Sequence, residues 1–275
     1  MTFHSLRFDR AAATYAAHAR IQAVMADELI ALSPDPESGC VDSAAVLEMG
    51  CGTGLLTLRL RRRYPASAIL ATDAAPRMLA AARQAVEKAV IAPTAPMGMA
   101  CHWLLFDASG DAEVPEALSA AAPFALAASG AMVQWFPALD RHFRMVASLL
   151  EPGGCYLVSG FTRDNFPELN AILAEAPFAY PEYPGHEAAG IRAAAIKSGF
   201  NVEEFREDAV ETVLPTPMTL LESIRGLGSA RRPETGSPLT RSRLKLLLDT
   251  YQVRYACAGG IRATWKPWYA RLRKP

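Results

Sequence analysis

The chain has 275 residues, 51% of them hydrophobic and 20% charged, with 28 Lys plus Arg against 28 Asp plus Glu. That composition excludes wholesale disorder, and the zero net charge excludes a protein that binds nucleic acid through overall basicity. The length suits one elaborated α/β domain or two small ones, with a self-sufficient core.

Residues 5–32 carry apolar spacing through Ala12, Tyr15, Ala19, Ile21, Val24, Met25 and Leu29, which predicts a helix. Ser33-Pro-Asp-Pro-Glu-Ser-Gly39 breaks it. Charges at Arg7, Asp9 and Arg10 precede any apolar run, so the start does not read as a signal peptide. Ala44–Met49 reads as a strand running into a glycine turn, and Leu55–Tyr64 as a helix ended by Pro65. A second strand, Ala68–Thr72, leads to Asp73; a helix over Ala75–Val90 follows, with Pro76 in its first turn, where proline is tolerated. Met99–Phe106 is a third strand, before Asp107.

Ala117–Leu139 is uncharged and long enough to cross a membrane, but Pro123, Gly130, Gln134 and Pro137 interrupt it. It reads as loop, strand (Phe124–Ser129), loop, and no membrane association is expected. A helix over Leu139–Leu150 is stopped by Glu151-Pro-Gly-Gly154, and Cys155–Gly160 is a fifth strand. Strands alternating with helices predict a doubly wound, mainly parallel seven-stranded sheet of Rossmann-like type. After residue 160 comes a proline- and aromatic-rich stretch, Phe161–Tyr183. A helix over His186–Ser198, a strand over Phe200–Arg206 and helices near 216–226 and 239–254 follow, and Gly260–Arg273 reads as a final edge strand interrupted by Pro267. The expected organisation is one structural domain in three parts: residues 1–40, a helical segment and candidate lid; 41–160, the cofactor-binding core; 161–275, the rest of the sheet with helical substrate- and partner-binding elements. Cysteines 40, 51, 101, 155 and 257 never stand in CxxC spacing. They read as free thiols of a cytoplasmic protein, and no metal site is expected.

The chemistry concentrates in Glu48-Met-Gly-Cys-Gly-Thr-Gly54, between a strand and a helix. Glycines there let a ligand approach the main chain. Asp73 ends the next strand, where a carboxylate can accept from both ribose hydroxyls, and Asp107 ends the third, where an adenine edge can lie. Ligands of open α/β sheets bind outside these carboxyl ends. A dinucleotide dehydrogenase wants G-x-G-x-x-G; here the third glycine comes one position early. Glu48 lies two residues before the first glycine, where an acid would repel a pyrophosphate but suit the α-ammonium of an amino acid.

This combination resembles the class I S-adenosylmethionine-dependent methyltransferases, whose first motif is E/D-x-G-x-G-x-G. The resemblance covers about residues 45–160. It implies that the loop Gly50, Cys51, Gly52, Thr53, Gly54 lies against the methionine part of the cofactor, and that Glu48 and Gln22 are among the cofactor-binding residues. Asp73, with Ala74 and Met78 beside it, would hold the ribose. Asp107 and the Ala108 amide would meet adenine, and Ser129 and Gly130 would close the site after the fourth strand.

Further segments extend the likeness: Phe8-Asp-Arg-Ala-Ala-Ala-Thr-Tyr15-Ala-Ala-His18-Ala-Arg-Ile-Gln22, Ala131-Met-Val-Gln134-Trp135, Ser223-Ile-Arg225-Gly-Leu-Gly-Ser, Leu239-Thr-Arg-Ser-Arg243-Leu and Ala263-Thr264-Trp265. In order and over almost the whole chain, these resemble the malonyl-acyl-carrier-protein O-methyltransferases of biotin synthesis. That family usually has Ser-Asn after strand four; this chain has Ser129-Gly130, which loses a side-chain contact. The resemblance implies methyl transfer from S-adenosylmethionine to the malonyl carboxylate of an acyl carrier protein. Tyr15 closes over the cofactor, His18 lies on the same helical face, and Gln134, Trp135 and Arg225 are expected at the acceptor. Arg163 is a further candidate carboxylate clamp, although the family pattern does not carry it.

Between Arg225 and Arg254 stand seven basic residues and two acids. Arg231, Arg232, Arg241, Arg243 and Lys245 form a candidate patch for an acidic carrier protein, and no RNA-binding motif or interleaved aromatics accompany it. Two other readings stay open at this stage: a methyltransferase for a free small acid or a quinone precursor, and a cofactor-binding partner protein that no longer catalyses.

Overall fold

The computed structural model describes residues 3–35, 41, 45–90, 100–109, 113–176, 185–226 and 240–275. Five strands, β1 (Val46–Met49), β2 (Ile69–Asp73), β3 (Cys101–Leu105), β4 (Phe124–Ser129) and β5 (Leu150–Phe161), run parallel. With β6 (Asn201–Glu207) and the C-terminal β10 (Pro267–Arg273) they form one seven-stranded sheet, in the order β3-β2-β1-β4-β5-β10-β6. The mainly parallel, doubly wound sheet expected from the sequence is present. Its order reverses between β1 and β4, and the crevice at such a point is where these sheets take ligands.

Both faces are covered. Val46, Ile69 and Leu126 point into one core, with α2 (Arg20–Ala31), α3 (Leu55–Arg63), α7 (Pro167–Glu175), α9 (Pro217–Gly226) and α10 (Arg241–Tyr255). Their neighbours Leu47, Ala127 and Tyr156 point into the other, with α6 (Leu139–Leu149) and α8 (Ala188–Lys197). The strands are accordingly almost uniformly apolar, as strands buried on both faces must be. α4 (Pro76–Val90) follows β2 and packs on β2 and β3.

Several sequence expectations are corrected. The single N-terminal helix is two: α1 (Phe3–His18) and α2, separated at Ala19, whose ψ of 28° leaves the helical range. α2 packs on α3, β5 and β10, whereas α1 turns away to α4 and α9; the apolar period runs through both because each buries a face. The stop at Glu151–Gly154 lies inside β5, where a register shift between Phe124 and Leu126 absorbs it. The C-terminal tail is not an edge strand. It divides at Lys266 into β9 (Gly260–Trp265) and β10, which Pro267 opens, and β10 lies antiparallel between β5 and β6, leaving β6 at the edge. Trp268, Tyr269, Ala270 and Leu272 are fully buried there. β9 joins β7 (Val210–Leu214) and β8 (Ala256–Cys257) in a separate three-stranded sheet. The sequence reading misses β7, α7 and the short α5 (Glu116–Ala121), the last in a segment read as a loop. The third part of the chain thus completes the main sheet with β6 and β10.

No helix among the described residues is long and apolar enough to cross a membrane. Cys51, Cys101, Cys155 and Cys257 form no disulfide among the described residues; Cys40 lies outside the described residues.

Candidate active site

A cavity of about 610 Å³ opens at the carboxyl ends of β1 to β5, a size typical of small-ligand sites. Gly50, Asp73, Asp107, Gly130 and Arg163 reach it from five successive strand ends, and Phe8 and Tyr15 of α1 cover it. Phe8 meets Trp135 edge to face, with ring centroids 5.2 Å apart. Asp9 accepts from the Arg77 amide at 2.7 Å and ties α1 to the first turn of α4, where a carboxylate is favoured by the helix dipole.

The glycine turn explains itself locally. Gly50, Gly52 and Gly54 have φ of 70°, 55° and 89°, which L side chains rarely adopt. A Cβ on Gly54 would lie 3.1 Å from Ala82 Cα, so this glycine lets α3 approach α4; a Cβ on Gly52 would meet nothing within 4 Å, so its face is open to a ligand. The turn is clasped by Asp73, whose Oδ2 accepts from Gly52 N and whose Oδ1 accepts from Ala75 N, both at 2.8 Å. Burial pushes the Asp73 carboxyl up, with Asp107 adding to it, and the amides of Ala75, Gly52 and Ala74 pull it back.

Behind the turn is a second space of about 40 Å³, lined by Gln22, Glu48, Cys51 and Thr53, and sharing Tyr15, Gly50, Gly52 and Gly130 with the main cavity. Glu48 is 1% exposed, and neither its Oε2 nor the Gln22 Oε1 has a hydrogen-bond partner. Burial raises the Glu48 pKa to about 8, Asp73 adds to that, and Thr57 opposes it. Two orphaned buried oxygens beside a glycine turn are what an ammonium group would satisfy. The donor set therefore fits S-adenosylmethionine: an acceptor pair for its amino group, an open backbone face at Gly52, and the strand-end acids Asp73 and Asp107 for ribose and adenine.

Most of the expected site residues come together. Ala74, Met78, Asp107, Ala108, Gln134 and Trp135 line the main cavity. Gln134 Nε2 donates to Ala131 O at 2.8 Å, and its Oε1 is buried without a partner. The Tyr15 phenol is held protonated by burial and by the Asp73 charge, so it can donate a hydrogen bond but cannot act as a base. Ser129 lines neither space; it is fully buried behind Gly130 with an unpartnered Oγ.

Others do not join them. His18 and Arg225 line neither space; His18 ends α1, and Arg225 is exposed near the end of α9. Arg231 and Arg232 lie outside the described residues. Arg241, Arg243 and Lys245 stand on α10, across the sheet from α6 and α8, and line no part of the cavity.

The sequence reading missed Phe8, Met132, Phe136, Pro137, Gly185 and His186, all of which line the cavity. Phe8 was accessible, because it lies seven residues before Tyr15 and so on the same helical face. His186 carried no local signal; a bridge to Thr162 brings it to the end of β5.

A profile of the methyltransferase domain family matches residues 46–154. The malonyl-acyl-carrier-protein O-methyltransferase of Geobacter sulfurreducens is 32% identical over 268 residues, covering 94% of this chain and 93% of that protein. The biotin biosynthesis bifunctional protein BioCD of Bordetella avium is 29% identical, over 98% of this chain and 52% of its own length. Magnesium protoporphyrin IX methyltransferase of Synechocystis, solved with bound S-adenosylhomocysteine, has the same fold, with a TM-score of 0.56 at 12% identity, over 94% of this chain and 86% of that one. The glycine turn, the two strand-end acids and a relative matched almost end to end place this chain in the malonyl-acyl-carrier-protein O-methyltransferase family of the S-adenosylmethionine-dependent methyltransferases.

Proposed function

We propose that this protein methylates the free carboxylate of a malonyl group carried by an acyl carrier protein, forming the methyl ester that feeds biotin synthesis. The observation that carries the reading is a pair of adjoining spaces that share Tyr15, Gly50, Gly52 and Gly130. The smaller holds Glu48, and the larger presents Gly52, Asp73 and Asp107 together with Tyr15, Gln134, Trp135 and Arg163.

S-adenosylmethionine supplies a methyl group on a sulfonium, open to in-line attack. The rest of the task is positioning. A malonyl carboxylate is already ionised at pH 7, so no strong general base is required, and the raised Tyr15 phenol does not offer one. Tyr15 and Gln134 instead orient the acceptor: Tyr15 as a donor, Gln134 through the amide that Ala131 fixes. Trp135, held against Phe8, walls the reacting space and excludes water. Alignment of two reactants in this way supplies up to about 7–11 kcal/mol.

The test is transfer of labelled methyl from S-adenosylmethionine to malonyl-acyl-carrier protein, with free malonate and malonyl-CoA as parallel acceptors. Esterase-labile label on the carrier-bound acid is the expected result. Label on free malonate in preference to the carrier makes the protein a small-acid methyltransferase. Cofactor binding with no label on any acceptor leaves the cofactor reading standing and removes the acceptor reading.

A further inference from the structure

The main cavity continues past Trp135. At Pro137, Arg163 and His186 it meets a second cavity of about 430 Å³, which runs along α8 past Gly190, Ala193, Ala194 and Lys197. Those four residues are spaced i, i+3, i+4 and i+7, hence lie on one face, and span about 10 Å of helix. Three of them carry no side chain beyond Cβ, and a Cβ on Gly190 would meet nothing within 4 Å, so the groove is open at Gly190.

The waist between the two cavities is built from fixed parts. His186 Nε2 lies 2.8 Å from the Phe136 carbonyl, and the His186 carbonyl accepts from the Arg163 amide at 3.2 Å. Arg163 is the one arginine or lysine among the described residues that line the main cavity. At the outer end, Lys197 and Arg144 share the Asp140 carboxylate at 3.6 and 3.1 Å.

We infer that this second cavity is the entry passage for a pantetheine thioester arm, and that the arm belongs to a carrier protein. The inference rests on the acceptor proposed above. A free diacid needs only the inner cavity. An acyl group tethered to a macromolecule needs a path that is open from the reacting atoms to the surface. The passage provides it: Arg163 attracts the anionic acyl end through the waist, the small-residue face of α8 accommodates the arm, and Lys197 meets its phosphodiester. α10, with Arg241, Arg243 and Lys245, lies across the sheet from this mouth.

The experiment plugs the passage. Gly190→Trp, and Ala193→Trp one turn along, are assayed with malonyl-acyl-carrier protein, malonyl-CoA and the short thioester malonyl-N-acetylcysteamine. S-adenosylhomocysteine affinity by calorimetry reports an intact cofactor end. The expected result is a loss of about tenfold or more in kcat/KM for the carrier substrate, as steric overfilling of a binding groove produces, with a clearly smaller loss for the short thioester. Wild-type preference for the carrier over malonyl-CoA supports the carrier as the source of the arm; the reverse preference overturns that assignment. Equal losses for long and short acceptors, or a loss on reversing the charges of Arg241, Arg243 and Lys245 with none from either plug, overturns the passage. A wild-type protein that methylates no malonyl thioester overturns the acceptor reading and the passage with it.

Discussion

The Ala108 carbonyl lies 2.9 Å from His142 Nδ1, and the N–H of the same peptide, that of Ser109, donates to Asp107 Oδ1 at 3.0 Å. A carbonyl only accepts, so Nδ1 carries the proton and Nε2 accepts from the Tyr156 hydroxyl at 2.8 Å. One peptide plane is thus gripped from beneath by a fully buried imidazole and from the cavity by the carboxylate expected at adenine. His142→Phe leaves the Ala108 carbonyl and the Tyr156 hydroxyl buried and unpaired, at about 1–3 kcal/mol each, and frees Asp107 to turn. The expected result is weaker binding of S-adenosylhomocysteine together with a reduced preference for it over its inosine analogue. Loss of affinity with the preference intact would make His142 a packing residue only. Burial lowers the His142 pKa to about 4, so its contribution to stability is complete above pH 6.5 and is lost as pH falls towards 4.

Glu48 behaves in the opposite sense. Its carboxyl is raised from 4.5 to about 8, so between those values the folded protein without ligand holds a proton that the unfolded chain has released. Stability falls as pH rises through that window, by about 1.4 kcal/mol per unit at most. Between pH 6.5 and 8 His142 is silent and Glu48 contributes a falling slope. Glu48→Gln is expected to flatten it and to weaken binding of S-adenosylhomocysteine. Calorimetry of the wild-type protein at pH 7, in buffers of differing ionisation enthalpy, should show proton release on binding. Proton uptake, or none, means that the Glu48 carboxyl is not protonated in the free protein at pH 7; unchanged affinity in Glu48→Gln excludes it as the partner of the ligand's ammonium.

Asp73 does two things at once. Its oxygens hold the amides of Gly52 and Ala75, and the residue lines the cavity. Asp73→Asn keeps the shape but sets an NH₂ against an amide N–H, and it removes an acceptor from the ribose. Cofactor affinity is expected to fall by about 1–3 kcal/mol, with a parallel drop in thermal stability as the turn loosens. Unchanged affinity by titration calorimetry would remove the ribose assignment.

Tyr15 belongs to both spaces, standing at once over the main cavity and beside Glu48. Tyr15→Phe keeps the ring that covers the cofactor and deletes only the donor. Turnover is expected to fall more than cofactor affinity does. Matched losses in both would mark the ring, and not the hydroxyl, as the working part.

The legible part of this site follows from locality. The glycine turn, Asp73 and Asp107 each sit at the end of a strand that its own residues announce, and a parallel sheet brings such ends together without further instruction. Gln134 and Trp135 came from the family resemblance and not from this rule. What sequence could not show arrives through long-range pairing. Trp268 and Tyr269 read as an edge because Pro267 breaks the pattern, yet their burial between β5 and β6 is set by partners more than sixty residues away. His18 fell outside the site because α1 ends there and the chain turns at Ala19, which an apolar period common to both helices conceals.

The family resemblance leads one to expect asparagine where Gly130 stands, and the structure says what a Cβ there would meet. The nearest atoms to a Cβ are Leu56 Cδ2 at 3.6 Å and Ser159 Oγ at 4.0 Å, ordinary contacts, and the Gly130 backbone is outside the left-handed region. Ser129 Oγ and Ser159 Oγ are both buried without partners, so a Cβ here has room and a carboxamide would bring a partner towards unmet hydrogen-bonding groups. Gly130→Asn is therefore expected to raise stability by about 0.4–1 kcal/mol through the unfolded chain alone, and to lower KM for S-adenosylmethionine, because the amide faces the space that Gly130 shares between the two cavities. Urea unfolding and a KM titration check the two parts separately. A destabilised variant would mean that the pocket has closed around the glycine; a stabilised variant with unchanged KM would mean that the amide serves the serines and not the cofactor.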